Sequence, residues 1–288
     1  MKITFLKPAG LTFTSIAYDS LARAFGAPPT TGAELVLADK NESVLATLLS
    51  HDGYGAIAME TKAEGRVDPP INSFIELLKR YERSDCPIQV IGALRMKINF
   101  ELMVRRGVSL SEITRVVTHK KSIGACRGNI AKLGVPTEEV GSNGLAAELV
   151  ARNDEYALSA ALAPREAAEA LGLEIPNPAF EDREAVTTFY LLGPRNHPKP
   201  QEVPTRTLIV FRLAHSPGTL VYSLYPFRTA RINLRMIHSL PIENEEQYDF
   251  AVELEQNSDS ASFDDAFHTS KKHMGRHILF GPFPVISG

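Results

Sequence analysis

Metal and thiol chemistry can be weighed first, because few residues here could perform it. The chain has two cysteines, Cys86 and Cys126, and no Cys-x-x-Cys pair or Cys/His cluster. Metal centres need ligands spaced so that they share one face, and a disulfide framework needs more pairs. His268, His273 and His277 lie near one another. Their spacing crosses an element boundary and makes no common face, so they read as surface residues. Cys126 falls on the inner side of an apolar helical segment and reads as core packing. The expectation is no metal and no cofactor, which leaves the chemistry of hydroxyl, carboxylate, imidazole and ammonium groups.

Those groups must be held by a globular scaffold. Hydrophobic residues make up 44% and charged residues 23%, the ordinary balance of a folded domain rather than a disordered chain. A net charge of −3 provides no basic surface for nucleic acid. No apolar run approaches the roughly 20 residues a membrane-spanning helix requires. The segment MKITFLKPAG lacks the apolar core and cleavage site of a secretory signal, so a reducing cytoplasm is the expected setting.

Strand-like and helix-like segments alternate through the first two thirds. Met1–Leu6, Glu34–Leu37, Tyr54–Met59, Ile88–Leu94, Ile113–Thr118 and Tyr156–Ala160 read as strands. Ser15–Phe25, Glu42–Leu49, Ile71–Tyr81, Ile123–Leu133, Gly144–Arg152 and Pro164–Leu171 read as helices, the fourth and last stopping at Gly134 and Gly172. This rhythm predicts α/β layers. Gly193–Pro204 then holds four prolines, and proline continues neither a helix nor a ladder, so it reads as a linker. Beyond it come strand Thr207–Leu213, helix Gly218–Arg228, strands Ile232–Ser239 and Tyr248–Leu254, helix Ser262–Met274 and strand Ile278–Phe280. That βαββαβ order is ferredoxin-like.

The spaced motifs resemble those of the prephenate dehydratase family. Pro217-Gly218-Thr219-Leu220-Val221 is similar to the P-G-A-L turn of the family's regulatory ACT domain. Ile237-His238-Ser239-Leu240-Pro241 stands where the family has I-E-S-R-P, and Phe280-Gly281-Pro282-Phe283-Pro284 resembles L-G-S-Y-P. Upstream, Thr118-His119-Lys120-Lys121-Ser122-Ile123-Gly124-Ala125-Cys126 resembles S-H-P-Q-A-L-x-Q-C. Ser142-Asn143-Gly144-Leu145-Ala146-Ala147 is similar to S-T-x-x-A-A, and Glu60-Thr61-Lys62 begins the segment like E-N-S-x-x-G-x-V. Thr187-Thr188-Phe189 stands for T-R-F, and Leu11-Thr12-Phe13-Thr14 for G-T-F-T. The resemblance implies a two-lobed, type II periplasmic-binding-protein-like catalytic region over residues 1–195. Lobe one would take about 1–78 and 181–195, and lobe two about 79–180. A linker over 196–204 and an ACT domain over 205–288 would follow.

It also implies a reaction, the loss of hydroxide and carbon dioxide from a cyclohexadienyl carboxylate to form an arylpyruvate. Aromatisation supplies the driving force, so the protein needs to assist hydroxide departure and hold carboxylates. Thr187 is the implied donor to the leaving hydroxyl. Thr12, Phe13, Glu60, Thr61, Lys62, Ser142, Asn143, Thr188 and Phe189 are the implied substrate-binding set. Thr188 replaces the arginine of T-R-F, and a threonine offers no charged fork. Lys62 is a new cation in the E-N-S-like loop and a candidate replacement, with Arg66 and Arg127 behind it. His119 reads as a strand-end structural residue. Leu11 replaces a glycine and would crowd a close backbone approach. The departures leave two alternatives open: a diverged enzyme of secondary metabolism with another substrate, or a non-catalytic ligand-binding homologue. In the ACT-like region Pro217, Gly218, Thr219, Leu220, Asn233, His238 and Ser239 are the implied amino-acid effector site, with His238 and Leu240 replacing the family's Glu and Arg. Pairing of such domains implies a homodimer or tetramer, a small-molecule carboxylate as substrate, and no nucleic-acid or membrane partner.

Overall fold

A computed structural model describes residues 1–61, 65–66, 68–81, 85–243, 247–255 and 260–288. Strand β1 (Lys2–Leu6) leads into helix α1 (Phe13–Phe25), followed by β2 (Glu34–Ala38), α2 (Ser43–Leu48), β3 (Gly53–Thr61), β4 (Gly65–Arg66) and α3 (Asp68–Glu76). The chemistry of α1 shows why these segments form. Thr12 caps its start by accepting from the Ser15 N–H, and Gly26 ends it in the left-handed conformation. Between them Tyr18, Leu21, Ala22 and Phe25 recur on one buried face.

The chain then makes β5 (Ile88–Ile98) and crosses into a second unit. This holds β6 (Glu101–Val104), β7 (Arg115–Thr118), α4 (Lys120–Ala125), α5 (Arg127–Leu133), β8 (Thr137–Glu139), α6 (Asn143–Arg152), β9 (Ser159–Ala163), α7 (Arg165–Leu171) and β10 (Glu174–Asn177). Strand β11 (Ala185–Pro194) returns to the first unit. The C-terminal part is β12 (Arg206–Arg212), α8 (Thr219–Thr229), β13 (Leu234–Pro241), β14 (Tyr248–Glu255), α9 (Ser260–Ser270), β15 (His277–Phe283) and β16 (Val285–Ser287).

Among the described residues these strands form three sheets. The first is seven-stranded, in the order β16-β5-β11-β3-β1-β2 with β4 attached to β3; the second runs β10-β6-β9-β7-β8 and the third β13-β14-β12-β15. The architecture is two α/β lobes plus a ferredoxin-like sheet. The lobes join through two adjacent crossovers, tied where Phe180 N–H donates to Phe100 O at 2.7 Å. Buried Glu101 accepts from Ala179 N–H and from Arg165 at the same point.

Four expectations need correction. Ile88–Ile98 pairs with β11 along its length, so lobe one extends to residue 98 and the first crossover falls at 99–100, not near 79. A strand of eleven residues, apolar over Val90–Leu94, satisfies its backbone inside a sheet, and the position beside β11 does this. The expected helix Ile123–Leu133 is two helices broken at Cys126, whose φ of −114° and ψ of 14° are not helical. Residues Asp154–Tyr156 form a 3-10 turn, and the strand begins at Ser159. His277 is buried in β15, its ring edge-on to Phe267, and is not a surface residue.

The third sheet packs on the back of the first. Phe74 meets Phe280 at 5.1 Å between ring centroids, and Tyr190 meets Phe283 at 5.1 Å. A charged group lies within this apolar seam. Glu253 accepts from Arg206 at 2.8 Å and from the Tyr190 hydroxyl at 2.8 Å, and all three side chains are buried. The chain then returns: Val285–Ser287 pairs in parallel with β5 of lobe one. The unit expected over 205–288 therefore gives its last strand to the seven-stranded sheet.

Candidate active site

Parallel strands present their carboxyl ends to one crevice, and open α/β sheets bind ligands there. In lobe one the ends of β1 and β2 lead to Thr12–Thr14 and Lys40–Glu42; in lobe two the ends of β7 and β8 lead to His119–Ser122 and Glu139–Asn143. These four segments face one another across a cleft of about 790 Å³ floored by Ala58, Ile98, Ala185, Thr187 and Phe189.

Strand alternation decides which residues of β11 reach it. Side chains two apart share a face, so buried Thr187 and Phe189 look into the cleft while Thr188 and Tyr190 look away. Thr187 is the cross-strand partner of Thr61, and Thr188 of Glu60. Cross-strand partners share a face. Glu60 accordingly opens onto the back of the sheet, in a cavity of about 110 Å³ shared with Arg235 and Glu253 of the C-terminal unit. The register shift between Thr188 and Phe189, which leaves Met59 unpaired, accompanies this turn of Glu60 away from the cleft. An arginine at position 188 would point to that seam, not to a substrate carboxylate.

Of the implied substrate-binding set, Thr12, Phe13, Ser142, Asn143, Thr187 and Phe189 line the cleft, whereas Glu60 and Thr188 do not. Thr61 is the backbone pairing partner of Thr187, and Lys62 lies outside the described residues. Three of the lining groups have evident positioning work. Thr12 Oγ bonds Ser15 Oγ at 3.0 Å. Asn143 Nδ2 donates to Ser122 Oγ at 2.6 Å and to Leu162 O at 2.7 Å, fixing α6 against α4 and β9. Ser142 Oγ accepts from Leu145 N–H and donates across the cleft to Lys7 O at 3.0 Å.

Leu11 adds to that inter-lobe contact. Its side chain is buried in lobe two's core with Val117, Ala146, Ala147 and Val150. The close approach at this point is made on the other side, by Gly144: a Cβ there would stand 2.7 Å from Leu11 O and 3.0 Å from its carbonyl carbon. The crowding expected from Leu11 is thus absorbed as packing.

The sequence reading missed Lys40, Glu42, Lys120, Lys121 and Glu139 on the cleft wall. Lys120 and Lys121 occupy the P-Q positions of the S-H-P-Q-A-L-like segment, a departure visible in the sequence but not placed until α4 is seen. His119 follows the end of β7, as expected, and is also the N-cap of α4, its Nδ1 accepting from Lys121 N–H at 3.4 Å. Burial pushes its pKa down, the Lys121 charge adds to this, and Glu139 and Glu42 oppose it. The ring is therefore neutral at neutral pH, with its proton on Nε2. Cys126 is fully buried and burial pushes its thiol well up, which makes it inert packing. Among the described residues no three His, Cys, Asp or Glu side chains are grouped to hold a metal.

The implied effector residues divide between environments. His238 bonds Asn72 of lobe one at 2.7 Å, so it faces the seam. Asn233 donates to Glu255 at 3.0 Å, and Ser239 is exposed. Gly218 caps α8 with a φ of 82°, and Thr219 bonds Ser216 within the same turn that holds Pro217 and Leu220.

A cleft between two α/β lobes is shared by many binding proteins, and comparison with known sequences narrows it. The model of the prephenate dehydratase family matches residues 3–197. The chain belongs to the prephenate dehydratase family. Among its family relatives, prephenate dehydratase of Corynebacterium glutamicum is 28% identical over 83% of this chain and 73% of its own length. A bifunctional N-acyl-homoserine lactone acylase/prephenate dehydratase of Komagataeibacter europaeus is 31% identical over 67% of each. Arogenate dehydratase 2 of Petunia hybrida is 28% identical over 55% of this chain and 40% of that protein, so the chain spans well under half of the plant enzyme. The same fold appears in the prephenate dehydratase of Arthrobacter aurescens in complex with L-Phe, with a TM-score of 0.80, 23% identity and coverage of 99% of this chain and 90% of that one.

Proposed function

We propose that the chain is a lyase of the prephenate dehydratase type, taking prephenate or a close cyclohexadienyl carboxylate to an arylpyruvate. The carboxylate-bearing C–C bond breaks and releases carbon dioxide. Its electron pair enters the ring, the C–O bond to the ring hydroxyl breaks, and the departing hydroxide takes a proton to become water. Thr187 donates a hydrogen bond to that leaving oxygen. The family match and the position of Thr187 on the cleft floor together carry this reading. The reaction needs no electron carrier, since oxidation level is conserved overall.

A second reading is an aminated substrate, in which an ammonium replaces the keto group, as the names of the plant relatives suggest. Glu42 and Glu139 on the wall favour it by offering carboxylates to an ammonium. The departures at Lys120, Lys121 and Ala125 support a more distant substrate of a secondary pathway. The ferredoxin-like unit is proposed as an ACT domain that binds an amino acid, on the model of the L-Phe complex of the relative, within a cytoplasmic homo-oligomer.

The test is incubation with prephenate at neutral pH beside an enzyme-free control, reading phenylpyruvate by its absorbance in alkali. Product above the control is expected, with Thr187→Ala lowering kcat by about a hundredfold and KM changing little. No product above the control, from either prephenate or its aminated analogue, overturns the reading.

A further inference from the structure

The cleft must bind a carboxylate, yet residue 188, where the family pattern has its arginine, faces the opposite side of the sheet. Among the described cleft-lining residues the permanent cations are Lys40, Lys120 and Lys121. Lys40 and Lys120 are exposed and stand at the rim. Lys121 is different: it is half-buried and its Nζ is shielded from water. It sits in the first turn of α4, beside His119 and across the cleft from the Thr187 floor. We infer that Lys121 is the anion anchor of this cleft, holding a carboxylate of the substrate from lobe two while Thr187 acts from lobe one.

This rests on the lyase reading for the identity of the substrate, and four observations support it. A shielded ammonium interacts with a bound carboxylate more strongly than one in water, because little solvent screens the pair. Its charge already reaches the cleft's interior, since it acts on the neighbouring His119 ring. The neutral imidazole beside it offers an Nε2–H as a second donor without a second full charge. Lobe two also holds Ser122 in place through Asn143, which fixes the turn that carries Lys121. Anchor and hydroxyl donor thus come from different lobes, so binding requires both to be in register.

The experiment is steady-state kinetics with prephenate on the full chain, comparing Lys121→Gln, Lys121→Arg and Lys62→Ala. Lys121→Gln is expected to raise KM by about tenfold or more with kcat within about threefold, and Lys121→Arg to recover most of the loss. An NMR titration of His119 with and without prephenate gives a readout that a packing role would not move: the bound carboxylate offsets the Lys121 charge and raises the His119 pKa in wild type, and this ligand-induced rise is lost in Lys121→Gln. A KM within twofold of wild type in folded Lys121→Gln overturns the inference, and a large KM effect confined to Lys62→Ala transfers the anchor to Lys62. If wild type turns over no prephenate, the lyase reading has failed, and calorimetry with prephenate decides the anchor. Binding lost in Lys121→Gln supports it, and equal or absent binding in both proteins overturns it.

Discussion

Gly144→Ala tests the inter-lobe contact at one atom. A Cβ at this position would lie 2.7 Å from Leu11 O and 3.1 Å from Leu11 Cβ. Relaxed C···O contacts begin near about 3.3 Å, so the loop or the start of α6 must move by roughly 0.6 Å. The obstructing atoms belong mainly to backbone, and Ser142 and Leu11 pin that backbone from both sides. Overpacking of this kind costs about 1–3 kcal/mol. Alanine's better helix propensity returns at most about 1 kcal/mol. The net expectation is a loss of about 1–2 kcal/mol. Urea unfolding followed by circular dichroism measures it, with the slope checked for two-state behaviour. Stability equal to or above wild type would refute the claim that the lobes meet at van der Waals limits here. Because the methyl acts as a wedge between lobes, KM should also rise, while Ala at Gly275, whose Cβ would meet only Arg212 O at an ordinary 3.5 Å, should leave KM unchanged.

Two further outcomes follow from buried charge. Glu253→Gln leaves Arg206 buried without its counter-charge, since the pair meets at 2.8 Å with both side chains less than 10% exposed, and should cost about 3 kcal/mol in chemical unfolding; a loss below about 1 kcal/mol would show the seam to be better hydrated than described. Burial, then the Lys121 charge, holds the pKa of His119 below the usual value, so the unfolded chain binds the proton more readily, and stability should rise with pH up to about 6.5 and fall below it. The slope of unfolding free energy between about pH 5 and 7 should flatten in His119→Gln, and an unchanged slope would remove His119 from that account.

Much of this molecule was legible in the sequence because its signals are local. The existence of the amphipathic helix α1 and the βαββαβ order from Arg206 onward come from spacing alone, and the structure has both, although the Thr12 cap that starts α1 at Phe13 was not read. What was not legible depends on long-range pairing. β8, Thr-Glu-Glu, has no apolar alternation, and only its pairing with β7 makes it a strand. The direction of residue 188 depends on the register of β11 against β3, which a motif cannot carry: three adjacent letters of T-R-F divide between two faces of one sheet. Lys121 was visible as a departure from the family pattern, but its value lies in burial, which emerges only when α4 folds against lobe two.

The pairing of Val285–Ser287 with β5 has a consequence for biogenesis. Lys2 and Ser287 lie in strands of one sheet, so that sheet remains unfinished until residue 287 has been synthesised. One edge of β5 stands bare on the nascent chain from the synthesis of residue 98 until that of residue 285, a surface to which another strand could add. Contacts this distant in sequence also slow folding. A ribosome-bound chain stalled before residue 285 should therefore keep binding holdase chaperones after its first lobe has collapsed, and should be released once those three residues take their place.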